Sequence, residues 1–349
     1  MKNIPGIKYL IVNFLVAMLA VQLLAVGAVP SSSEPTSLQD LTPIERRIYQ
    51  NHQQGSTAQD RATSPLPADP NRVVITIPPS DTDPKIDKYV KDHYVMFNHA
   101  VRPNEKLFLW LPGSYGRPID NQYILDLAAS NGYRAIGLEY YNIPPVISIC
   151  VEVPDIACST RVREERLTGT DTSPEVDVST ADSILNRFTK LLVYLQTHYP
   201  KDGWHQFLQD GKPNWSKIVL GGHSQGSGMA AFMAKRFAVA RVVLFSGPAD
   251  YSRPAHQLAD WLRQPSATPP ECWYGLYHAK EKAARAFNLA YSLLGLLPSH
   301  IRVVELAPRT NEVLSDDPYH GSVIGDRVTP LDANGRPAYR EVWSFLIGR

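Results

Sequence analysis

Apolar and polar positions divide the chain into two parts at about residue 71. Residues 29–70 are rich in Pro, Ser, Gln and Asp and carry few apolar side chains, which is typical of a linker or surface arm. From residue 71 onwards, short apolar runs alternate with stretches whose apolar side chains recur at helical spacing. This alternation predicts one α/β domain, residues 71–349, with a mostly parallel central sheet and helices on both faces.

The individual elements follow from the same pattern. Strands are predicted at 72–77, 93–98, 106–111, 133–140, 219–221, 239–246, 273–278 and 301–306. Helices are predicted at 119–130, from a cap at 179–182 to Pro200, from 229, at 255–263, at 283–294 and from about 338. Because no helix is expected between the first two strands, these strands should form an antiparallel edge of the sheet.

The first 28 residues form a separate segment. Lys2 and Lys8 precede an uncharged apolar run, and Val26-Gly27-Ala28 supplies the small residues that signal peptidase favours. We therefore expect a secretory signal peptide that is cleaved after Ala28. An uncleaved N-terminal anchor is the alternative, since the apolar run approaches membrane-spanning length. Either outcome makes the rest of the chain secreted or extracytoplasmic, in a periplasmic or extracellular space.

Charge and cysteine content narrow the range of partners. The chain has 35 Lys and Arg against 34 Asp and Glu, which gives no electrostatic reason to bind nucleic acid. Contact with a membrane is expected only if the leader stays uncleaved. Cys150 and Cys158 lie close together and should form a disulfide in an oxidising compartment, which leaves Cys272 as a buried thiol. No spacing of His and Cys indicates a zinc site, so neither a metal nor a cofactor is expected.

The segment Gly222-His223-Ser224-Gln225-Gly226 carries the strongest chemical signal. It lies between an apolar strand run and a helix-forming run that begins at Met229. A serine on such a sharp strand-to-helix turn exposes its hydroxyl, and the flanking glycines let strand and helix approach without a Cβ clash. Ser224 is therefore the predicted nucleophile.

Further polar groups follow other predicted strands. His320 lies in the loop after the last strand, Glu281 follows strand 273–278, and Asp250 follows strand 239–246. A serine hydroxyl needs a base to accept its proton, and that base needs a carboxylate to hold its tautomer. His320 is the predicted base. Chain order leaves both carboxylates open, with Glu281 preferred and Asp250 as the alternative acid.

With this pentapeptide, the strand–helix alternation and the terminal histidine loop, residues 71–349 resemble a secreted member of the α/β-hydrolase superfamily. The resemblance implies an enzyme that cleaves carboxylic esters through an acyl-enzyme, using Ser224, His320 and the acid. The sequence departs from the family pattern at two positions. Pro112 stands where His is frequent, and Glu281 stands where Asp is more frequent.

The same resemblance implies an oxyanion hole and a substrate cleft. One backbone N–H belongs to Gln225, and the second belongs to Ser114 in the loop Pro112-Gly113-Ser114-Tyr115-Gly116. Tyr115 is expected to line the cleft, and the insertion at 142–178 to border its mouth. The insertion lacks the long apolar run of a lipid-binding lid, which favours small or soluble esters.

These inferences predict a secreted serine hydrolase that acts on small-molecule esters. A lipase, a thioesterase or a serine peptidase would use the same parts and remains an alternative. A catalytically silent hydrolase fold used for binding is the alternative from another class of protein. The joint presence of the serine, the histidine and candidate acids argues against that class.

Overall fold

The computed structural model describes residues 66–309 and 317–348. The predicted leader and nearly all of the predicted arm lie outside these residues, so cleavage, anchoring and the domain limits stay predictions. Within the described residues, no helix combines the length and the apolar character that crossing a membrane requires.

Strands and helices alternate along most of the described chain. The strands are β1 (Arg72–Ile77), β2 (His93–Asn98), β3 (Leu107–Leu111), β4 (Arg134–Gly137), β5 (Leu208–Gln209), β6 (Lys212–Pro213), β7 (Ile218–His223), β8 (Arg241–Phe245), β9 (Tyr251–Ser252), β10 (Gln257–Leu258), β11 (Trp273–His278) and β12 (Ile301–Val304). The helices are α1 (Pro79–Thr82), α2 (Gln122–Ser130), α3 (Val146–Cys150), α4 (Cys158–Thr168), α5 (Ile184–His198), α6 (Gln225–Arg236), α7 (Ala284–Leu294), α8 (Pro318–Ser322) and α9 (Arg340–Ile347).

Eight of these strands form one central sheet in the order β1-β2-β4-β3-β7-β8-β11-β12. Strand β2 pairs antiparallel with both β1 and β4, and all other neighbours are parallel. The predicted mostly parallel sheet with an antiparallel edge is therefore confirmed, although the single turn α1 lies between the first two strands. Because the parallel strands share one direction, the loops after β3, β7, β8, β11 and β12 all leave from the same edge of the sheet.

Side chains of the central strands alternate between two apolar cores. In β3, Leu107 and Leu109 belong to the core that also contains residues of α5, α6 and α7. Phe108 and Trp110 belong to the core that contains residues of α2 and α9. Every residue of β3 is buried because helices cover both faces of the sheet. This two-sided burial explains why the strands appear in the sequence as unbroken apolar runs.

One predicted helix is wrong. Residues 255–263 form part of the ribbon β9–β10 and a single 3-10 turn at Asp260–Arg263. His256 has a left-handed backbone with φ 51°, which no α-helix tolerates. The backbone N–H of Ala259 donates instead to the carbonyl of Asp250, 2.9 Å away. The ribbon thus satisfies the hydrogen bonds that a helix would have supplied.

The start of the long helix α5 also differs from the prediction. Ser183, and not the segment 179–182, caps the helix, since its hydroxyl accepts a hydrogen bond from the backbone N–H of Asn186. Ser179 and Asp182 bond to each other instead, at 2.7 Å between Oγ and Oδ2. Two overlapping capping patterns occur in the sequence, and the later one starts the helix.

The insertion at 142–178 carries helices α3 and α4. A disulfide joins Cys150, at the end of α3, to Cys158, at the start of α4, and confirms the predicted pair. Cys272 has a free thiol but is only partly buried, because it lies in a 3-10 turn ahead of β11. Burial raises the pKa of this thiol.

Candidate active site

Two glycines allow the sharp turn between β7 and α6. A Cβ on Gly222 would lie 2.3 Å from the backbone of Gly226, and a Cβ on Gly226 would lie 2.0 Å from the carbonyl oxygen of Leu111. No side chain fits at such distances, so both positions require glycine. The start of α6 therefore packs directly against the end of β3 and leaves Ser224 at the turn.

Ser224 has a strained backbone that its surroundings hold in place. Its φ is 54° and its ψ is −118°, a combination that costs free energy for an L-residue. The Ser224 N–H donates to the carbonyl of Phe245 at 2.8 Å, and the N–H of Gly228 donates to the Ser224 carbonyl at 3.1 Å. Strain that persists under such constraint is characteristic of functional sites.

Ser224 and His320 line the same cavity, which has a volume of about 230 Å³. Ser114 and Gln225 line it as well. Ser224 and His320 are 96 positions apart in sequence, by their numbers, and both lie at the edge of the sheet where the loops emerge. The cavity gives the serine hydroxyl and the imidazole access to one small molecule.

Tyr115, which was expected to line the cleft, is not among the residues that line this cavity. Its φ is 62°, so its backbone adopts the left-handed conformation that reverses the chain between Gly113 and Gly116. The position shapes the loop and not the cavity wall. The wall is largely apolar and includes Val146, Ile147 and Phe287, of which the first two belong to the insertion.

His320 contacts Glu281 through its inner ring nitrogen. Nδ1 of His320 lies 2.7 Å from Oε2 of Glu281, whose side chain is fully buried, whereas the His320 side chain is 27% exposed. The other carboxylate oxygen, Oε1, accepts hydrogen bonds from the Ser246 hydroxyl at 2.7 Å and from the His278 N–H at 2.6 Å. With Nδ1–H bonded to the carboxylate, Nε2 is the nitrogen that can take up a proton.

Asp250 has a different partner. Its carboxylate forms a bidentate pair with Arg163, at 2.7 Å to Nε and 2.6 Å to Nη2, and accepts a further bond from Nε1 of Trp261 at 2.8 Å. The side chains of the pair are only 4% and 2% exposed. The structure therefore brings Glu281, and not Asp250, to the imidazole of His320.

The side chain of His223 contacts the backbone of the loop that carries His320. Its Nε2 lies 2.9 Å from the backbone carbonyl of His320, so Nε2 carries the hydrogen and donates. Burial, together with the neighbouring His320 ring, lowers the pKa of His223 to about 3, although the bond to the His320 carbonyl acts in the opposite direction. The His223 ring is thus neutral at physiological pH and acts as a hydrogen-bond donor that fixes His320.

The loop after β3 approaches Ser224 closely. A Cβ on Gly113 would lie 3.2 Å from Cβ of Ser224 and 3.0 Å from Nδ1 of His223. Ser114 follows Gly113 directly, and Gln225 is the first residue of α6, where N–H groups have no acceptor within the helix. Ser114 and Gln225, each with a backbone N–H, thus line the same cavity as Ser224.

The side chain of Gln225 ties the insertion to this loop. Its Oε1 accepts hydrogen bonds from the Val146 N–H at 2.8 Å and from the Ser114 hydroxyl at 3.3 Å. Its Nε2 donates to the carbonyl of Asn142 at 2.7 Å. Gln225, which follows Ser224, therefore connects the start of α6 to the loop after β3 and to the insertion.

Several residues of the site were not predicted from the sequence. The list comprises Tyr140, Asn142, Arg163, His223 and Ser246. His223 lies inside the pentapeptide, so its position was the one available signal. The others lie at strand ends or in the insertion, where nothing in the local pattern indicates which residue they will contact. Among the described residues, no group of three or more His, Cys, Asp and Glu is placed to hold a metal ion.

The strand order is that of the α/β-hydrolase fold. The same fold places a serine at the strand-to-helix turn after β7, and a carboxylate and a histidine in loops at the same edge, where this chain has Ser224, Glu281 and His320. No protein-family model matches the chain, and neither does any curated protein in sequence. The assignment to this fold therefore depends on the structure alone.

Solved structures that align with the chain include three esterases. They are an esterase/lipase from an uncultured bacterium (11% identity, 95% of this chain, 97% of that chain, TM-score 0.45), a hyperthermophilic esterase from Pyrobaculum calidifontis (15%, 88%, 95%, 0.42) and esterase B from Lactobacillus rhamnosis inhibited by a tributyrin phosphonate (13%, 75%, 82%, 0.41). These overall likenesses are distant, so the fold assignment depends on the strand order and the geometry of the turn.

Proposed function

We propose that the protein is a serine esterase that hydrolyses small carboxylic esters through an acyl-enzyme. The observation that carries this proposal is the contact between His320 and Glu281 at the cavity that Ser224 also lines. A nucleophile, a base and an orienting carboxylate are the minimum set for this chemistry. Glu281 is the acid in this proposal, and Asp250 is a structural partner of Arg163.

The reaction begins when Oγ of Ser224 attacks the ester carbonyl carbon and its proton passes to Nε2 of His320. The carbonyl π electrons move to the oxygen, which the N–H groups of Ser114 and Gln225 stabilise. The intermediate collapses, and the alcohol leaves with the proton from His320. A water molecule then repeats the sequence on the acyl-enzyme, releasing the acid and restoring the Ser224 hydroxyl.

The size of the cavity favours a short substrate. Its volume of about 230 Å³ is smaller than the roughly 300–1,000 Å³ of pockets that enclose drug-sized ligands. Its wall is largely apolar, apart from the paired side chains of Arg163 and Asp250, and suits a short acyl chain or a small alcohol group. We therefore place small esters ahead of long-chain lipids, thioesters and peptides as substrates.

Secretion is part of the same proposal. It is supported by the apolar leader in the sequence and by the Cys150–Cys158 disulfide, which is a feature of proteins that fold in oxidising compartments. N-terminal sequencing of the mature protein would detect cleavage after Ala28. A mature protein that begins at Met1 and lacks the disulfide would contradict this part.

The central test is Ser224→Ala, assayed on short p-nitrophenyl esters. Loss of the nucleophile should lower kcat by at least about 10³-fold, because only the oxyanion donors and binding would remain. Ser227→Ala is the matched control, since Ser227 is a buried serine of α6 that donates to the Gly247 carbonyl and does not line the cavity. Parental activity in the Ser224→Ala protein would refute the mechanism.

A fluorophosphonate probe separates an enzyme from a silent binding protein. Labelling that depends on Ser224 supports the enzyme, because only an activated serine reacts with such a probe. A folded parent protein that stays unlabelled would favour the binding function instead.

A further inference from the structure

We propose that Asn142 is the positioning residue of the oxyanion hole. The inference rests on the proposed function, since it assigns a task within the same active site. Asn142 lies in the loop after β4, at the start of the insertion, and is only 1% exposed.

The side chain of Asn142 clamps the loop that carries Ser114. Its Nδ2 donates to the carbonyl oxygen of Gly113 at 2.9 Å and to that of Gly116 at 2.8 Å. The amide nitrogen, and not the amide oxygen, must face these two carbonyls, since oxygen against oxygen would repel. These two bonds span the tight turn in which the Gly116 N–H donates to the Gly113 carbonyl at 3.0 Å.

The bond to Gly113 determines where the proposed oxyanion donor points. The Gly113 carbonyl and the Ser114 N–H belong to one peptide group, which is planar and trans, so the two bonds point in opposite directions. When Asn142 holds the carbonyl on its own side, the Ser114 N–H is turned to the other side. Gly113 lies close to Ser224, since a Cβ built on it would be 3.2 Å from Cβ of Ser224, and Ser114 lines the same cavity as Ser224.

The rest of the network fixes Asn142 itself. Its backbone carbonyl accepts the Nε2–H of Gln225 at 2.7 Å, so the side chain of the residue after the nucleophile positions the clamp. The Tyr140 hydroxyl holds the preceding peptide of the loop through a bond of 2.8 Å to the Pro112 carbonyl. Both peptide groups on the path from Pro112 to Ser114 are thus held from the β4 side.

A cost accompanies this arrangement. The Oδ1 atom of Asn142 is buried and has no hydrogen-bond partner among the described residues. A buried acceptor without a hydrogen-bond partner lowers the stability of a fold. An apolar residue would avoid that cost but could not hold the two carbonyls.

The test compares catalysis with oxyanion binding in Asn142 variants. Asn142→Ala should lower kcat/KM by about 10- to 100-fold, less than outright loss of an oxyanion donor, with most of the change in kcat. Asn142→Ser, which keeps one donor, should lose less, and Asn142→Asp, which sets a carboxylate against two carbonyls, should lose more. Fluorophosphonate titration of Ser224 gives the concentration of folded, active sites for each variant.

A trifluoromethyl ketone inhibitor supplies the second readout. Ser224 Oγ bonds to the ketone carbon, the hydroxyl proton passes to His320, and the ketone oxygen becomes an oxyanion in the hole. Across the variants, the loss of inhibitor affinity should parallel the loss of kcat/KM. Binding of the alcohol product, which places no negative oxygen in the hole, should change little.

Asn186→Ala is the matched control. Nδ2 of Asn186 also donates to two oxygens, the Ala181 carbonyl at 2.9 Å and Oδ2 of Asp83 at 3.0 Å, but it lies at the start of α5 outside the cavity. This variant should keep both parental kcat/KM and inhibitor affinity. Folded Asn142→Ser and Asn142→Ala proteins with parental kcat and inhibitor affinity would overturn the inference. A fully active Ser224→Ala protein would overturn the proposed function instead.

Discussion

The strand-to-helix turn at 222–226 and the insertion at 142–178 both line one cavity, but they differ in how far along the sequence their stabilising contacts lie. The turn is marked by contacts within five residues, since Gly222 and Gly226 touch each other and Ser224 lies between them, although the end of β3 and the carbonyl of Phe245 also hold it in place. The insertion depends on partners far along the chain, such as Arg163 with Asp250, 87 positions apart. A motif identifies the first region in any sequence, whereas the second is defined only by the fold that surrounds it.

This difference separates the region that carries the serine hydroxyl from the region that shapes the cavity. The turn supplies the hydroxyl of the proposed nucleophile, and its requirements are mainly steric. The insertion supplies the Asn142 clamp, the Arg163 ion pair and part of the apolar wall, and its requirements are long-range hydrogen bonds and burial. Substitutions in the turn should therefore act through steric clashes, whereas substitutions in the insertion should act through the loss of distant partners.

The largest effect is expected at Gly226. Gly226→Ala places a Cβ 2.0 Å from the Leu111 carbonyl oxygen, so the packing of α6 on β3 must open. We expect a loss of about 4 kcal/mol or more in unfolding free energy, with activity abolished. Gly211→Ala is the control, because its φ is 73° but no atom lies within 4 Å, and it should cost only about 1 kcal/mol. Denaturant unfolding measures both, and equal losses would contradict the steric account.

The next effect separates the two carboxylates. Glu281→Gln should lower kcat by up to about 10⁴-fold with little change in stability, because it disturbs the tautomer and charge of the His320 pair. Asp250→Asn leaves the buried Arg163 without a counter-charge and should cost about 3 kcal/mol of stability. Kinetics measured below the melting temperature, together with urea unfolding, distinguish the loss of activity in Glu281→Gln from the loss of stability in Asp250→Asn. An Asp250→Asn enzyme that is stable but inactive would reverse the assignment of the acid.

A moderate effect is expected at the disulfide. Cys150→Ser with Cys158→Ser should lower unfolding free energy by about 2 kcal/mol and raise KM more than it lowers kcat, since the bridge joins α3 to α4 beside the cavity. Cys272→Ser, which removes the free thiol, is the control. An unchanged KM in the double variant would show that the bridge serves folding alone.

The effect that is smallest at neutral pH concerns His223, because it appears only as the pH falls. His223 has a folded-state pKa of about 3 against an ordinary value of 6.5, so the folded state binds fewer protons than the unfolded state between these values. Its contribution to stability is complete above about pH 6.5 and is lost as the pH falls, by at most about 1.4 kcal/mol per pH unit. His223→Gln should flatten this part of the stability profile. His205→Gln, at an exposed histidine, should not, and identical profiles for the two variants would contradict the account.

The sequence alone determined the class of fold, since two-sided burial forces apolar strand runs and amphipathic helices into a regular alternation. It also indicated Ser224 and His320 as candidates, because a sharp turn needs glycines and a loop after the last strand can be located by counting elements. The wrong helix at 255–263 marks the limit of such patterns. There, the left-handed backbone at His256 and a bond from Ala259 to Asp250 overrode local propensity.

Only the tertiary structure decided which carboxylate meets the imidazole and what orients the oxyanion loop. Glu281 and Asp250 both follow strands at the same edge, so their order along the chain is uninformative. Buried partners separate them, because Arg163 neutralises one and His320 contacts the other. Asn142 is invisible in the sequence for the same physical reason. Its role depends on two carbonyl groups about 26 to 29 positions away, and a local pattern carries no information about which distant backbone a side chain will meet.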